Sequence, residues 1–123
     1  MAFLFWRKKA QILENRPWGN FEVLSKDGNI TIKKIIVMPQ KRLSYQSHNN
    51  RAEHWFITQG TGKVTNNDVV SDAINGMSFD IAIHAKHRIE NTSEKDNLIF
   101  IEISTGDFNE NDITRYEDDF GRK

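Results

Sequence analysis

The chain has 123 residues, a length typical of one compact domain, so we expect a single domain with no room for a second catalytic one. Its 17 basic and 17 acidic side chains cancel, so no net field favours nucleic acid or an anionic membrane as a partner. Cysteine is absent, which excludes a disulfide scaffold and a thiolate metal site and fits a reducing cytoplasm.

We predict that residues 1–14 form an N-terminal arm and that residues 15–123 form a single domain. Aromatic and apolar residues 3–6 precede basic residues 7–9, which is the reverse of the secretory order, and the apolar run is too short to span a bilayer. We therefore expect a cytoplasmic protein without a membrane partner, whose arm packs on the domain or on a second copy. The alternative is a weak interfacial anchor, with the rings among lipid headgroups and the basic cluster on phosphates.

Short β-type runs, broken by turn signals, dominate the rest of the chain and predict an all-β barrel or sandwich with little helix. The expected strands cover residues 21–24, 30–38, 53–58, 63–66, 78–83, 87–90 and 97–104. Lys33 and Lys34 interrupt an otherwise apolar strand, a pattern typical of a sheet edge. The acidic segment that follows the last strand contains residues 112–116, the best candidate for a short helix or turn.

Gln46, His48, Glu53 and His87 predict a metal site. Gln46 and His48 lie two residues apart, so on a strand both side chains point to the same face. Turn-forming residues 49–51 follow, and reversal of the chain there would bring Glu53 back beside His48. His87 must arrive from a separate strand pair, which only a closed or folded sheet permits. A single histidine is usually an ordinary polar residue, but the joint pattern favours ligands.

The donor types narrow the choice of metal. Imidazole, carboxylate and amide oxygen without thiolate suit a divalent cation, for which we expect zinc, with manganese, iron, cobalt or nickel as alternatives. An amide is a weak ligand, so this set leaves room for water or substrate at the metal. Such an open position distinguishes a catalytic metal site from a closed structural one.

The segments around these residues resemble known motifs. Gln46-x-His48-x4-Glu53-x6-Gly60 is similar to the first motif of cupins, with glutamine in place of its first histidine. The segment from Ala82 to Asn91, which contains His84 and His87, resembles the second cupin motif. The closer resemblance is to the cupin domain of type II mannose-6-phosphate isomerases, often the C-terminal half of bifunctional mannose-1-phosphate guanylyltransferases. The short sequence stretches that carry this resemblance are residues 16–19, 42–46, 51–55, 87–91, 102–107 and 117–122. The resemblance implies a cupin fold, a double-stranded β-helix or jelly-roll barrel.

The resemblance also implies an activity, the interconversion of mannose 6-phosphate and fructose 6-phosphate for activated-mannose and polysaccharide synthesis. That reaction moves a proton between C1 and C2 through an enediolate, so it needs a base near both carbons and positive charge near both oxygens. A metal would supply part of that charge as a Lewis acid. The sequence leaves four candidate bases, His54, Lys86, Glu102 and Asp107. Strand alternation turns His54 away from the face that carries Glu53, so His54 could instead be a core residue.

Basic side chains are expected to recognise the phosphate of such a substrate, and guanidinium groups match its oxygens best. We expect catalytic contacts from Arg51, Lys86 and Arg122, and substrate contacts from Arg88, Asn50 and His84. Arg122 reaches the site only if the C-terminal tail folds back over it. A lone arginine is as often a solvated surface charge. Trp18 and Trp55 are assigned to packing, the commoner use of tryptophan in a small barrel.

The chain departs from the family pattern at two places. A run of three histidines in the family reads His48-Asn49-Asn50 here, and Pro-x-Gly before the second-motif histidine reads Ala82-Ile83-His84. His84 is then either an exposed turn residue or an extra polar group at the barrel mouth.

Two other functions fit the same residues. The chain could be a non-catalytic cupin that binds sugars or sugar nucleotides, or a ketoisomerase or epimerase that acts on a nucleotide-linked sugar in surface-polysaccharide assembly. The expected partners are a small-molecule sugar phosphate and a second copy of the chain, because cupin barrels commonly hide a sheet edge or face in a homodimer.

Overall fold

The structure is a computed structural model that describes residues 12–123. Within this range the chain forms strands and loops without a helix. The strands are β1 (Ile12–Arg16), β2 (Gly19–Asp27), β3 (Ile30–Val37), β4 (Tyr45–Ser47), β5 (Arg51–Gln59), β6 (Thr61–Asn66), β7 (Val69–Ile74), β8 (Ser78–Ile81), β9 (His87–Asn91), β10 (Leu98–Gly106) and β11 (Thr114–Glu117). Accordingly, residues 12–123 contain no helix long and apolar enough to cross a membrane.

Two sheets make up the domain. The larger has the order β1-β2-β3-β10-β5-β8 and the smaller the order β11-β4-β9-β6-β7, with antiparallel pairing throughout. The chain passes from the larger sheet to the smaller at Gly60, whose φ of 98° is a conformation that side chains rarely adopt. A Cβ there would lie 2.7 Å from the carbonyl oxygen of Asn97, so the close approach of the two chain segments also requires glycine. The predicted all-β architecture is confirmed.

The inner face of the larger sheet is divided into an apolar end and a polar end. Burial alternates along β3, β5 and β10, as expected for strands with one face in the core. Ile57, Leu98 and Phe100 are fully buried at the apolar end and pack in one hydrophobic cluster. The inward positions at the other end are polar and equally buried, namely Thr31, Lys33, Glu53, Glu102 and Ser104. A buried polar layer of this kind needs internal partners, so this end of the barrel is the candidate site.

Two expectations about the strands are wrong. β3 lies between β2 and β10, so Lys33 and Lys34 do not mark a sheet edge, and Lys33 points inward. The residues expected to form a short helix or turn contribute to β11, because Thr114–Glu117 pairs with β4. Both errors have the same origin, since a pairing partner far away in the sequence leaves no local signal.

Several strands are longer than expected or were not expected. β2 extends over Gly19–Asp27, and β7 forms the edge of the smaller sheet although Val69 and Val70 remain exposed there. An edge strand with little burial lacks the alternation by which strands are recognised. At the N-terminus, β1 pairs with β2 from Ile12 onward. The rest of the expected arm, including its aromatic residues, lies outside the described residues, so the division at residues 14 and 15 stays a prediction.

We predict that Phe100→Ala lowers the free energy of unfolding by about 3–5 kcal/mol, because it leaves a cavity at a fully buried position in contact with Trp55. Phe56→Ala on β5 is the matched control, since that ring is 43% exposed, and should cost about 1 kcal/mol. Urea unfolding followed by tryptophan fluorescence measures both. Equal losses for the two variants would contradict the assignment of the core.

Candidate metal centre

Two histidines and one carboxylate meet at the polar end of the barrel. His48 follows β4 directly, Glu53 lies on β5 and His87 begins β9, so three separate strands supply them. The Nε2 atom of His48 lies 3.5 Å from Oε2 of Glu53, and Nε2 of His87 lies 3.6 Å from Oε1 of the same carboxylate. All three side chains are buried, and one donor atom from each lies within 4.8 Å of the other two. This spacing suits one shared metal ion.

Backbone carbonyls hold the outer nitrogens of both rings. Nδ1 of His48 donates to the carbonyl oxygen of Asp112 at 2.7 Å, and Nδ1 of His87 donates to that of Ala85 at 2.9 Å. This tautomer leaves the Nε2 lone pairs directed toward Glu53, an arrangement shared by most metal-bound histidines. Burial lowers the pKa of each histidine to about 4, with the charge of Arg51 as a further cause at His48. Both imidazoles are therefore neutral at pH 7, which is their ligand form.

Gln46 adds a weaker donor to the same cavity. It is the cross-strand partner of His87, where β4 pairs with β9, and it lines the cavity together with the three ligand candidates. Its amide nitrogen donates to Oγ and the carbonyl oxygen of Ser44, at 3.1 and 3.3 Å. The amide oxygen remains as the donor available to a cation. The four positions expected from the sequence are thus brought together, and their donor chemistry fits a divalent metal.

Arg51 is the most closely engaged basic residue of the site. Its guanidinium donates to Nε2 of His48 at 3.2 Å and to Oε2 of Glu53 at 3.1 Å. It also donates to the carbonyl oxygen of Asn109 at 3.3 Å and lies 4.4 Å from the centre of the Phe108 ring. Arg51 therefore contacts the same donor atoms that a metal would use and compensates the charge of the buried carboxylate.

Glu102 is a second buried carboxyl group beside Glu53. The indole nitrogen of Trp55 donates to both, at 3.1 Å to Glu53 and 3.3 Å to Glu102, while Ser104 donates to Glu102 at 3.3 Å. Burial, and after it the charge of Glu53, raise the pKa of Glu102 above its ordinary value, to about 7. Trp55 is buried as expected, but it also orients the two carboxyl groups.

The C-terminal tail folds back over the site, as the expected role of Arg122 requires. β11 pairs with β4, and the guanidinium of Arg122 forms two hydrogen bonds to the carboxylate of Asp118, at 2.8 and 2.9 Å. Arg122 and Arg115 both line the cavity. Hydrogen bonding from Arg122 lowers the pKa of Asp118 to about 2, so this fully buried carboxylate stays ionised.

The segment of residues 107–113, here called the closing segment, connects β10 to β11 across the mouth of the cavity. It supplies carbonyl oxygens to His48 and Arg51, and the carboxylate of Asp112 accepts the backbone N–H groups of Asn49 and Asn50, both at 2.9 Å. The positions of His48 and Arg51 therefore depend on contacts with residues more than 50 positions later in the chain.

Three of the six residues expected to contact substrate lie away from the cavity formed by the described residues. Asn50 and Lys86 are exposed, the latter with its ammonium 4.6 Å from the centre of the Tyr116 ring. His84 is an exposed turn residue with φ of 71°, and its ring is bonded to the side chain of Asn49 at 3.2 Å. Arg88 is buried and lines the cavity, but it donates to the Leu43 carbonyl oxygen and to Glu117. Their expected roles stay predictions.

Sequence reasoning missed some residues of the site. His54, which the sequence left as a candidate base or a core residue, is 43% exposed on the outer face and pairs with Asp80 at 2.6 Å. Lys33 was expected at a sheet edge but lines the cavity, as do Glu110 of the closing segment and Arg115 of β11. No sequence signal distinguished Lys33 from Lys34, because each is in phase with apolar residues of β3.

Fold and site together define a cupin, and the comparisons with known proteins agree. An RmlC-like cupin from Shewanella frigidimarina superimposes with a TM-score of 0.70 at 16% sequence identity, covering 79% of this chain and 85% of that one. The sequence model of the family "Mannose-6-phosphate isomerase C-terminal" matches residues 7–118. The chain belongs to this family, so the resemblance found in the sequence is confirmed.

The curated relatives are much longer proteins. The xanthan biosynthesis protein XanB of Xanthomonas campestris is 36% identical over 118 residues, which are 95% of this chain and 24% of XanB. The alginate biosynthesis protein AlgA of Pseudomonas aeruginosa is 40% identical over 108 residues, which are 87% of this chain and 22% of AlgA. The chain spans about a quarter of the length of these relatives.

We predict that His48→Ala and His87→Ala each abolish most of the binding of a divalent metal, because each removes a ligand that no neighbouring side chain replaces. His54→Ala is the control, since this histidine points to the outer face. Metal content after loading with zinc and gel filtration, measured by plasma mass spectrometry, should fall only in the first two variants. Full metal content in His48→Ala would exclude the site.

We predict that Asp118→Asn lowers the free energy of unfolding by about 1–3 kcal/mol at pH 7, because it weakens a part-buried, charge-assisted pair with Arg122. Asp119→Asn, at a carboxylate 42% exposed beside Arg42, should cost less than about 1 kcal/mol. The folded pKa of Asp118 lies below its ordinary value of 3.8, so this stabilisation is present above pH 3.8 and is lost as the pH falls toward 2. Urea titrations at several pH values measure the difference between variant and parent.

Proposed function

We propose that the chain is a metal-dependent isomerase that interconverts mannose 6-phosphate and fructose 6-phosphate through an enediolate. The observation that carries this proposal is the group of two neutral imidazoles and one carboxylate that face one another in a cation-rich cavity. Membership of the mannose-6-phosphate isomerase C-terminal family supports the same substrate class. The names of XanB and AlgA refer to polysaccharide biosynthesis, so we place the activity in the supply of activated mannose for a polysaccharide.

His48, Glu53 and His87 would hold the metal, with Gln46 as a weaker fourth donor. When bound, a divalent ion, for which zinc remains our expectation, supplies Lewis acidity that stabilises negative charge on the sugar oxygens. An amide in place of a charged ligand leaves more of the positive charge of the ion uncompensated. Arg51 donates to the same atoms of His48 and Glu53 here, so it would yield them to the ion and would then lie beside it as a second positive charge near the substrate oxygens.

Glu102 is our candidate for the group that moves the proton between C1 and C2. Of the four titratable candidates, it is the one that lines the cavity in the described part of the chain. His54 pairs with Asp80 on the outer face, and Lys86 and Asp107 are exposed. Trp55 and Ser104 hold the Glu102 carboxyl group in place, which leaves it oriented toward the ligand cluster.

Binding of hexose phosphates without turnover is the second candidate function. It is favoured by the positions of Asn49 and Asn50, which are exposed and do not line the cavity. These two positions carry histidines in the family pattern, so contacts made there to a substrate would be missing. A cytoplasmic location and a homodimer stay predictions under both functions.

A coupled assay of mannose 6-phosphate conversion on metal-loaded protein tests the isomerase. We expect turnover that disappears on chelation and in His48→Ala. Glu102→Gln should lower kcat by about 100-fold or more, because a positioned acid or base contributes that much, while metal content stays at the parental value. Asp107→Asn is the matched control and should retain the parental kcat. Absence of turnover in fully metal-loaded parent protein, with hexose phosphate bound, would select the binding function.

A further inference from the structure

Lys33 is a buried cation that the mechanism above does not use. It lies on β3 directly opposite Glu102 of β10, which in turn lies opposite Trp55 of β5, so a row of inward side chains crosses three strands. The side chain of Lys33 is 8% exposed, and its ammonium sits between two aromatic rings, 4.2 Å from the centre of Phe21 and 4.0 Å from that of Phe108. Adjacent strands are about 4.8 Å apart, so the backbone of Lys33 is about 10 Å from the strand that carries Glu53.

The carboxylate of Glu110 bridges Lys33 and a second cation. Its Oε1 atom lies 3.6 Å from Nζ of Lys33, and its Oε2 atom lies 3.9 Å from Nη2 of Arg16. Both distances exceed that of a hydrogen bond, and the Glu110 side chain is 58% exposed on the closing segment. The Glu110 carboxylate therefore lies between two cations as a weakly bound anion would.

The surroundings of Lys33 favour an anion from solution. Burying an ammonium group is unfavourable unless partners compensate it, and the faces of two aromatic rings compensate only in part. The described lining of the cavity carries five cationic side chains and three carboxylates. Two of these cations, Arg88 and Arg122, are paired with Glu117 and Asp118 outside the lining, whereas the ion-pair partner of Lys33 is the exposed carboxylate of Glu110. The cations are Lys33, Arg51, Arg88, Arg115 and Arg122, and the carboxylates are Glu53, Glu102 and Glu110.

We propose that Lys33 and Arg16 form a subsite for a phosphate monoester and that the carboxylate of Glu110 occupies it until the phosphate displaces it. A hexose 6-phosphate would lie across the row of β5, β10 and β3, with its reacting carbons at His48 and Glu53 and its phosphate at Lys33. That orientation rests on the proposed function, whereas the anion subsite does not. Lys33 and Arg16 thereby take the phosphate-binding role that the sequence suggested for Arg88, whose Nε and Nη1 atoms donate to Leu43 and Glu117.

Calorimetric titration of the full chain with mannose 6-phosphate, inorganic phosphate and unphosphorylated mannose tests the subsite. Lys33→Met should weaken binding of both phosphates about ten- to a hundredfold, because it removes a charged donor, and leave mannose binding and metal content unchanged. Lys34→Met is the matched control, with the same change of charge on the opposite face of β3, and should bind as the parent does. Titrations of chelated protein separate this effect from phosphate bound directly to the metal.

Glu110→Gln should change phosphate affinity in the opposite direction from Lys33→Met. Removal of the competing carboxylate should tighten phosphate binding by up to about fivefold, the range of an exposed ion pair. Because this side chain is exposed, the variant also tests the proposal if Lys33→Met folds poorly. Equal affinities of Lys33→Met and Lys34→Met, or weaker or unchanged phosphate binding in Glu110→Gln, would overturn the subsite. Phosphate binding that depends on Lys33 in a protein without turnover would overturn the isomerase and leave the subsite standing.

Discussion

The buried carboxylate of Glu53 is the group on which the arrangement of the site depends. Its side chain is 3% exposed, and an ionised carboxylate at that depth is stable only with partners that replace water. Arg51 and Trp55 donate to it, and the imidazoles of His48 and His87 face its two oxygens. Arg51 and Trp55 lie on β5 of the larger sheet, whereas His48 and His87 lie at β4 and β9 of the smaller sheet. The carboxylate of one residue therefore has partners in both sheets.

The fold tolerates a buried polar site because the barrel separates the apolar core from the polar residues. Fully buried apolar side chains such as Ile57, Leu98 and Phe100 fill one end and supply the hydrophobic stabilisation. The polar residues are gathered at the other end, where hydrogen bonds and charge pairs satisfy them. Because the same strands run through both ends, β5 carries Ile57 in the core and Glu53 in the site. The rigidity of the core thereby fixes the ligand positions.

The closing segment and β11 complete what the two sheets begin. Carbonyl oxygens from residues 107–113 set the tautomer of His48 and hold Arg51, and Glu110 faces Lys33. The pairing of β11 with β4 then brings Arg115 and Arg122 to the cavity, with Asp118 locking Arg122 in place. The site is therefore assembled from distant parts of the chain, and the proposed anionic ligand would meet groups on both the barrel and the closing segment.

The sequence by itself determined the all-β class and the family and predicted the candidate ligand set, because these depend on local features. Alternation placed Gln46 and His48 on one face, and the phrase around Arg51 and Glu53 is continuous in the chain. The tertiary structure decided which face of each strand points inward. β3 carries isoleucine and lysine on both of its faces, so only its register with β10 placed Lys33 in the cavity and Lys34 outside. Pairing between distant strands also decided that Arg122 reaches the site and that Lys86 does not, since such pairing leaves no mark in the local pattern.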